Sequence, residues 1–189
     1  LIAMEQALTL KDATGCQVTA VTMGPPPAEG MLRELLAMGA DDAVLISARE
    51  FGGSDTFATS QIISAAITHI GLSDEDMIFC GRQAIDGDTA QVGPQIAEKL
   101  NLPQISYAAE IVKEGKDVTV KRMLEDGYMK IKMQTPCLVT CISDQDSKAR
   151  YMTLNGINHC YEKPFLLLDF EALKDEPLIE LDKIGLKGS

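Results

Sequence analysis

Short apolar segments alternate with amphipathic segments along the first hundred residues of the chain. Apolar side chains recur at helical spacing in three segments, residues 1–12, 28–38 and 56–69. Three other segments are short and apolar or β-branched, as buried parallel strands are, at residues 17–23, 42–46 and 77–80. A fourth helix is expected to end near Leu100. Repeated strand–helix units of this length predict an α/β fold with a mostly parallel sheet and helices on both faces.

Two helices carry more specific expectations. In the helix over residues 28–38, Met31, Leu35 and Met38 are expected to form the buried stripe. The helix over residues 56–69 is expected to be capped by Asp55 or the residue after it.

The pattern changes after Pro103, where alternating polar and apolar residues predict further strands. These strands are expected at residues 105–112, 117–123, 128–133 and 137–142. The turn at Asp126-Gly127 is a good hairpin signal, so an antiparallel hairpin should complete the parallel sheet. Helical periodicity is weak from Asp144 onward, and we expect an extended C-terminal tail there. We therefore place an α/β domain at residues 1–146 and a C-terminal arm at residues 147–189.

The most informative motif is the loop after the third predicted strand, within residues 81–93. A strand, a glycine-bearing loop and a helix start gather unpaired backbone N–H groups and a partial positive charge, which suits a phosphate. Gly81, Gly87 and Gly93 allow a ligand to approach the backbone closely. Arg82 adds a planar, permanently charged fork for phosphate oxygens. An ordinary surface turn between strand and helix is the alternative interpretation.

The start of the fourth helix is predicted from Asp88 and Gln91, which have the spacing of a capping box. Neither the Walker pattern nor G-x-G-x-x-G is present, so any nucleotide is held in another way. Met23 is a further candidate, because ligands of open α/β sheets bind at the carboxyl edge of the strands. It is equally compatible with a place in the core.

Composition excludes several classes of function. The net charge is −11, with 17 basic and 28 acidic residues, whereas a nonspecific nucleic-acid binder needs a basic face. No apolar run is long enough to span a bilayer. We therefore expect neither a nucleic-acid partner nor a membrane span. Both ends read as cut, in a helix at Leu1 and in a loop at Ser189, and we expect a fragment of a longer chain.

The cysteines and histidines give no support for a metal site. The five cysteines form no C-x-x-C pair, and His69 is far in sequence from His159. An odd number of widely spaced cysteines favours reduced thiols in the cytoplasm. No nucleophile–base pair or carboxylate pair is evident, so we assign no catalytic residue.

Over essentially its whole length the chain resembles the β subunit of electron-transfer flavoproteins. Residues 81–93 are similar to the nucleotide loop of that family. Residues 120–127 and 136–140 resemble its signature, although Met129 stands where the family usually has Glu or Gln. Residues 150–154 resemble the family's partner-recognition loop.

The resemblance implies a Rossmann-like domain whose first strand precedes Leu1, and a larger α subunit that holds an electron-transferring FAD. In the conventional group the β subunit keeps a structural AMP, and electrons come from acyl-CoA dehydrogenases. In the bifurcating group a second FAD takes hydride from NADH and sends electrons both to the α-subunit FAD and to a low-potential acceptor, with a related reductase as partner. Residues 86–94 and 184–189 look like the bifurcating group. We therefore expect FAD, with AMP as the alternative cofactor.

The loop motif and the resemblance together identify the residues expected to bind the cofactor. They are Met23, Arg82, Gln83, Ala84, Ile85, Asp86, Gly87, Asp88, Thr89, Ala90, Gln91, Val92 and Gly93.

Within this set the roles differ. Backbone N–H groups near Asp88 are expected to meet the phosphates, with hydrogen bonds from the side chains of Thr89 and Gln91. The backbone of residues 83–85 is expected to line the adenine or ribose. Arg82 lies either at the phosphates or beside the isoalloxazine, where a fixed positive charge would stabilise a reduced anionic flavin.

Three expectations complete the interpretation. Asp86 either faces away from the phosphates or pairs with Arg82. Leu154, an apolar residue in a polar loop, is expected to anchor a partner protein, or else to pack on its own domain. An ATP-binding regulator similar to universal stress proteins is the remaining functional alternative, but it lacks the glycine-rich loop that it would need in the C-terminal third.

Overall fold

The computed structural model describes residues 1–85, 87–143 and 148–187. The chain forms two compact units, each assembled from segments that are distant in sequence. The first unit contains residues 1–15 and 71–149, and the second contains residues 16–70 and 150–189. The domain boundary expected between residues 146 and 147 lies outside the described residues.

The elements follow the predicted order closely. The helices are α1 (Ile2–Thr14), α2 (Ala28–Met38), α3 (Thr56–Ile70), α4 (Val92–Lys99), α5 (Leu154–His159) and α6 (Phe170–Leu173). The strands are β1 (Thr19–Met23), β2 (Asp42–Ile46), β3 (Met77–Gly81), β4 (Gln104–Glu114), β5 (Asp117–Leu124), β6 (Gly127–Gln134), β7 (Cys137–Cys141) and β8 (Phe165–Leu168). Short 3-10 helices cover Arg49–Phe51 and Gly185–Lys187.

The first unit carries a five-stranded sheet in the order β3-β7-β4-β5-β6. The first three of these strands pair in parallel, and β5 and β6 extend the sheet as antiparallel strands. Leu124 pairs with Gly127 across a two-residue turn, as the hairpin signal predicted. β6 forms one edge of the sheet, and Lys130 and Lys132 are exposed along it.

Helices cover both faces of this sheet. Ile2 of α1 packs against the core cluster that contains Val139 and Cys141 of β7. The intervening Thr140 faces Gly93 of α4, because successive side chains of a strand point to opposite faces. The first unit therefore has the layered α/β arrangement that the sequence predicted.

The second unit carries a three-stranded parallel sheet in the order β1-β2-β8. β2 is the central strand, and Ile46 at its end shares a core cluster with Ile62 of α3 and Leu168 of β8. Asp55 caps α3 as predicted, since its Oδ1 accepts a 2.8 Å hydrogen bond from the backbone N–H of Ala58. Together the two units form a mixed α/β fold of open, mostly parallel sheets.

Two details of the second unit differ from the expectations. α2 buries Leu32, Leu36 and Ala37, whereas Met31, expected in the buried stripe, is exposed. The helix has apolar residues at both sets of positions, so periodicity alone could not select the buried set. The C-terminal arm also contributes α5, α6 and β8, which the weak periodicity of that region did not predict.

No helix in the described ranges has both the length and the apolar character required to cross a membrane.

Candidate functional site

The loop between β3 and α4, residues 82–91, is exposed along nearly its whole length. Of its described residues only Ala90 is half-buried, and Ile85 is fully exposed. The loop follows the carboxyl end of β3, the edge at which open α/β sheets bind ligands. A Cβ built on Gly87 would meet no atom within 4 Å, so a ligand has room to reach the backbone. Asp86 lies outside the described residues, and its role stays a prediction.

The helix after this loop begins later than the capping-box motif predicted. α4 begins at Val92, and the preceding residue, Gln91, has a right-handed helical backbone and no capping hydrogen bond from its side chain. Asp88 instead has a positive φ of 50° and accepts a hydrogen bond from the side-chain amide of Gln83. The prediction that Asp88 caps the helix is therefore wrong. The reason is a second left-handed residue, Ala90, with φ of 54°, which separates Asp88 from the helix start.

The late start of α4 has a chemical consequence at its N-terminus. A helix leaves its first backbone N–H groups without intrahelical partners, and the side chain of Gln91, the residue before α4, makes no capping hydrogen bond. Val92 and Gly93 contribute the first two of these donors, and Pro94 has no N–H. The N-terminus of α4 can therefore donate hydrogen bonds to the oxygens of an anionic ligand, while its partial positive charge favours the ligand's negative charge.

Gly93 is buried because α4 crosses the sheet closely. A Cβ on Gly93 would lie 2.8 Å from Cγ2 of Thr140 and 3.4 Å from Cβ of Cys80. The first distance is shorter than any ordinary carbon–carbon contact, so only glycine allows α4 to start this close to β3 and β7.

The thiols beside the loop are neutral at physiological pH. Burial raises the pKa of Cys80 to about 11, and burial together with the neighbouring Cys80 raises the pKa of Cys141 to about 12. Neither is a thiolate nucleophile. Among the described residues, no group of three or more His, Cys, Asp or Glu side chains could hold a metal ion.

Arg82 lies over an aromatic ring that the sequence did not single out. Its guanidinium carbon is 5.6 Å from the centroid of the Tyr107 ring, which is within the range of a cation–π interaction. Tyr107 has a positive φ of 61°, at a point where the pairing of β4 with β7 shifts register. No glycine or other turn residue marks this position in the strand, so the sequence offered no signal for it.

Met23 belongs to the second unit and lines a cavity there. The cavity has a volume of about 720 Å³ and lies at the carboxyl ends of β1 and β2. Its other lining residues include Gly24, Ser47 and Ser54, which the sequence analysis missed. The Gly24-Pro25 pair directly after a predicted strand was the available signal. The other candidates with described positions, residues 82–85 and 87–93, all belong to the first unit.

Leu154 is the first residue of α5, in the second unit, and 82% of it is exposed. Its side chain therefore does not pack on its own domain. Oγ1 of Thr153 caps α5 by accepting a 2.9 Å hydrogen bond from the N–H of Gly156. Gly156 packs so closely on α2 that a Cβ would lie 2.0 Å from the carbonyl oxygen of Ala37.

Two cations fasten the segment that follows α5 to α2. Nζ of Lys163 donates a 2.9 Å hydrogen bond to the carbonyl oxygen of Leu36, at the end of α2. The guanidinium of Arg33 lies 5.0 Å from the ring centroid of Tyr161 and 4.5 Å from that of Phe165. Leu154 is thus presented to solvent from a firmly attached helix.

Comparison with known proteins places this arrangement in a family. Residues 1–153 match the family model of the electron transfer flavoprotein domain. The chain is 79% identical over 187 residues to acryloyl-CoA reductase electron transfer subunit gamma of Anaerotignum propionicum, covering 99% of this chain and 70% of that protein. It is 48% identical over 176 residues to the caffeyl-CoA reductase-Etf complex subunit CarD of Acetobacterium woodii, covering 93% of this chain and 66% of that one.

A third relative carries the name of the subunit itself. The chain is 45% identical over 187 residues to electron transfer flavoprotein subunit beta of Thermoanaerobacterium thermosaccharolyticum, covering 99% of this chain and 69% of the relative. The resemblance inferred from the loop and the signature residues is confirmed. The chain belongs to the electron transfer flavoprotein family, as a protein of its β-subunit type with a role in electron transfer.

Proposed function

We propose that this chain binds FAD as the β subunit of a flavin-bifurcating complex. When bound, FAD supplies the redox chemistry, namely acceptance of hydride from NADH and delivery of electrons to the FAD of an α subunit and to a low-potential acceptor. The observation that carries the proposal is the exposed, glycine-bearing loop between the carboxyl end of β3 and the N-terminus of α4.

The residues of this loop fit a diphosphate. The open space at Gly87 lets phosphate oxygens approach the backbone, and the close packing of Gly93 brings the positive end of α4 to the carboxyl end of β3. Thr89 and Gln91 are exposed in the same loop and can add neutral hydrogen bonds. The chain thus offers several donors to a phosphate group, although its net charge is −11.

Arg82 supplies the fixed positive charge of the loop. A cation near a bound flavin favours the reduced, negatively charged form over the neutral oxidised form. We therefore assign Arg82 the electrostatic role of raising the flavin's reduction potential. Its exposed position at the carboxyl end of β3 leaves the guanidinium accessible to a cofactor.

The names of the relatives support the choice of partners. Two of them are named as subunits of an acryloyl-CoA reductase and of a caffeyl-CoA reductase-Etf complex. We infer that this chain pairs with an α subunit and exchanges electrons with a reductase related to acyl-CoA dehydrogenases. The exposed Leu154 on α5 is the proposed anchor for the protein partner. Five cysteines without a disulfide support a cytoplasmic location.

AMP is the alternative occupant, since its phosphate and adenosine could use the same loop. Both cofactors contain a nucleoside and a phosphate, so the loop alone does not choose between them. A conventional subunit with structural AMP would pass electrons only through the flavin of the α subunit.

Counting flavins separates these possibilities. The full-length protein should be purified with its α subunit, saturated with FAD, and analysed by visible absorption and by phosphate content. We expect two flavins per heterodimer. A single flavin accompanied by AMP would overturn the bifurcating assignment and leave the conventional subunit.

Replacement of Arg82 tests the electrostatic role. In the same complex, Arg82→Ala should lower the flavin's reduction potential by the equivalent of about 1–4 kcal/mol, the interaction of two charges about 4 Å apart at a partly solvated site. Lys130→Ala, which removes one positive charge from the sheet edge of the same unit, is the matched control. An unchanged potential in Arg82→Ala would remove the role assigned to Arg82.

A further inference from the structure

We propose that Tyr107 is a positioning residue that holds the guanidinium of Arg82 at the loop between β3 and α4. The inference rests on the proposed function in one respect, because it directs the charge of Arg82 toward an anionic group of the cofactor. Its structural basis is independent of any ligand. It consists of the contact between ring and guanidinium and of the unusual backbone that places the ring there.

The backbone at Tyr107 is irregular for a reason found in the neighbouring strand. Between Ile105 and Ala108, β4 advances three residues while β7 advances two, so β4 contains one extra residue, a β-bulge. The N–H of Tyr107 donates a 3.3 Å hydrogen bond to Oγ1 of Thr140 in β7. Bulges of this kind redirect a side chain away from the position that regular pairing would give it.

The residue at the bulge is a tyrosine, which is an unusual choice for its backbone conformation. Left-handed backbone is unfavourable for a bulky aromatic side chain, and asparagine or glycine would adopt it at lower cost. A tyrosine at φ of 61° therefore carries strain that its surroundings must offset. In this position the ring contacts the guanidinium of Arg82, and this contact helps to offset the strain.

An aromatic ring is also better suited than a carboxylate to hold the guanidinium of Arg82 without neutralising its charge. A carboxylate would fix the guanidinium but neutralise its charge. The face of a ring attracts the cation electrostatically while leaving the net positive charge in place. Localised in this way, Arg82 needs to lose less side-chain entropy when an anionic ligand binds.

Two replacements of Tyr107 distinguish the effect of its ring from the effect of its backbone conformation. Tyr107→Phe keeps the ring, and Tyr107→Asn removes it while tolerating the left-handed backbone. Both should be made in the full-length protein assembled with its α subunit. Arg82→Ala identifies the Arg82 signals in an arginine-labelled sample.

The first readout is the NMR chemical shift of the Arg82 side-chain methylene groups without added cofactor. In the wild type and in Tyr107→Phe, the aromatic ring current should displace these signals from their ordinary values. In Tyr107→Asn the displacement should be lost. The same Arg82 shifts in all three proteins would overturn the proposal, whatever the cofactor proves to be.

The second readout is cofactor binding. Tyr107→Asn should raise the dissociation constant of FAD about two- to fivefold, the effect of losing an exposed cation–π contact, and should shift the flavin potential in the direction of Arg82→Ala but less. Tyr107→Phe should leave both nearly unchanged. In an Arg82→Ala background, Tyr107→Asn should have no further effect.

The two readouts distinguish the positioning role of Tyr107 from the electrostatic role of Arg82. An equal loss of affinity from Tyr107→Asn with and without Arg82 would show a structural role for the tyrosine and overturn its positioning role. If Arg82→Ala itself changes neither affinity nor potential, the role assigned to Arg82 in the proposed function fails. The ring-current measurement then still decides whether Tyr107 positions Arg82.

Discussion

Two exposed segments of the chain, the loop between β3 and α4 and the helix α5, place their glycines in opposite surroundings. A Cβ at Gly156 of α5 would meet the carbonyl oxygen of Ala37 at 2.0 Å, whereas a Cβ at Gly87 of the loop would meet nothing within 4 Å. The absence of a side chain at Gly156 allows α5 to pack against α2, whereas at Gly87 it leaves the backbone open to solvent. The difference fits the two proposed roles, a preformed surface for a protein partner at α5 and room for a ligand at the loop.

Gly156→Ala should have the largest effect on stability. The added methyl group meets a backbone carbonyl rather than a flexible side chain, so α5 must move away from α2. We expect the free energy of unfolding to fall by about 3 kcal/mol, the upper end of the usual cost of overpacking. Urea denaturation of the full-length protein measures this change.

Gly30→Ala is the matched control for that variant. Gly30 lies within α2, and a Cβ there would meet nothing within 4 Å. Alanine in this helical position should raise stability by about 0.5–1 kcal/mol. Equal effects of Gly30→Ala and Gly156→Ala would contradict the close contact between α5 and α2.

Gly93→Ala should have an intermediate effect on stability, because the added methyl group would contact one identifiable side chain. The new methyl group would lie 2.8 Å from Cγ2 of Thr140, at a cost of about 1–3 kcal/mol. Thr140→Ser removes that carbon and keeps the Oγ that bonds to the N–H of Tyr107.

A double-mutant cycle tests this explanation. The loss in Gly93→Ala should be largely recovered when Thr140→Ser is also present, relative to Thr140→Ser alone. Additive effects in the cycle would show that α4 does not press on Thr140.

Gly87→Ala should have the smallest effect on stability, within about 0.5 kcal/mol, as for other exposed positions without packing contacts. Its effect should instead appear in binding. The methyl group occupies space through which phosphate oxygens would approach the backbone, so the dissociation constant of FAD should rise severalfold. Isothermal titration of the cofactor-free complex measures it. Unchanged affinity would mean that the ligand does not approach Gly87.

Local signals in the sequence were sufficient for much of the fold. The turn before Gly127 and the cap at Asp55 were predicted because each depends on neighbouring residues only, and both are present. The position of the loop after β3 followed from the same kind of local pattern. The membership of the family followed from residues distributed along the whole chain.

The features that were missed depend on distant parts of the chain. β8 is a strand of four residues whose place depends on pairing with β2, and two of its leucines, Leu166 and Leu167, are exposed. No periodic pattern is detectable over so short a segment. The bulge at Tyr107 arises from its pairing with β7.

The cap assigned to Asp88 failed for a different reason. The spacing of Asp88 and Gln91 matched a capping box, but the motif cannot report the left-handed backbone at Ala90 that intervenes. The sequence therefore predicted the position of the loop between β3 and α4, but not its conformation or the ring under Arg82.

The open edge of the five-stranded sheet has a consequence for the protein's behaviour at high concentration. Within the part of the chain that the structure describes, no strand pairs with the outer side of β6, and such an edge can pair with a strand of another molecule. A second copy docking there through its own β6 would crowd two pairs of lysines, Lys130 and Lys132 from each molecule, along a single seam. Their mutual repulsion would oppose this edge-to-edge pairing.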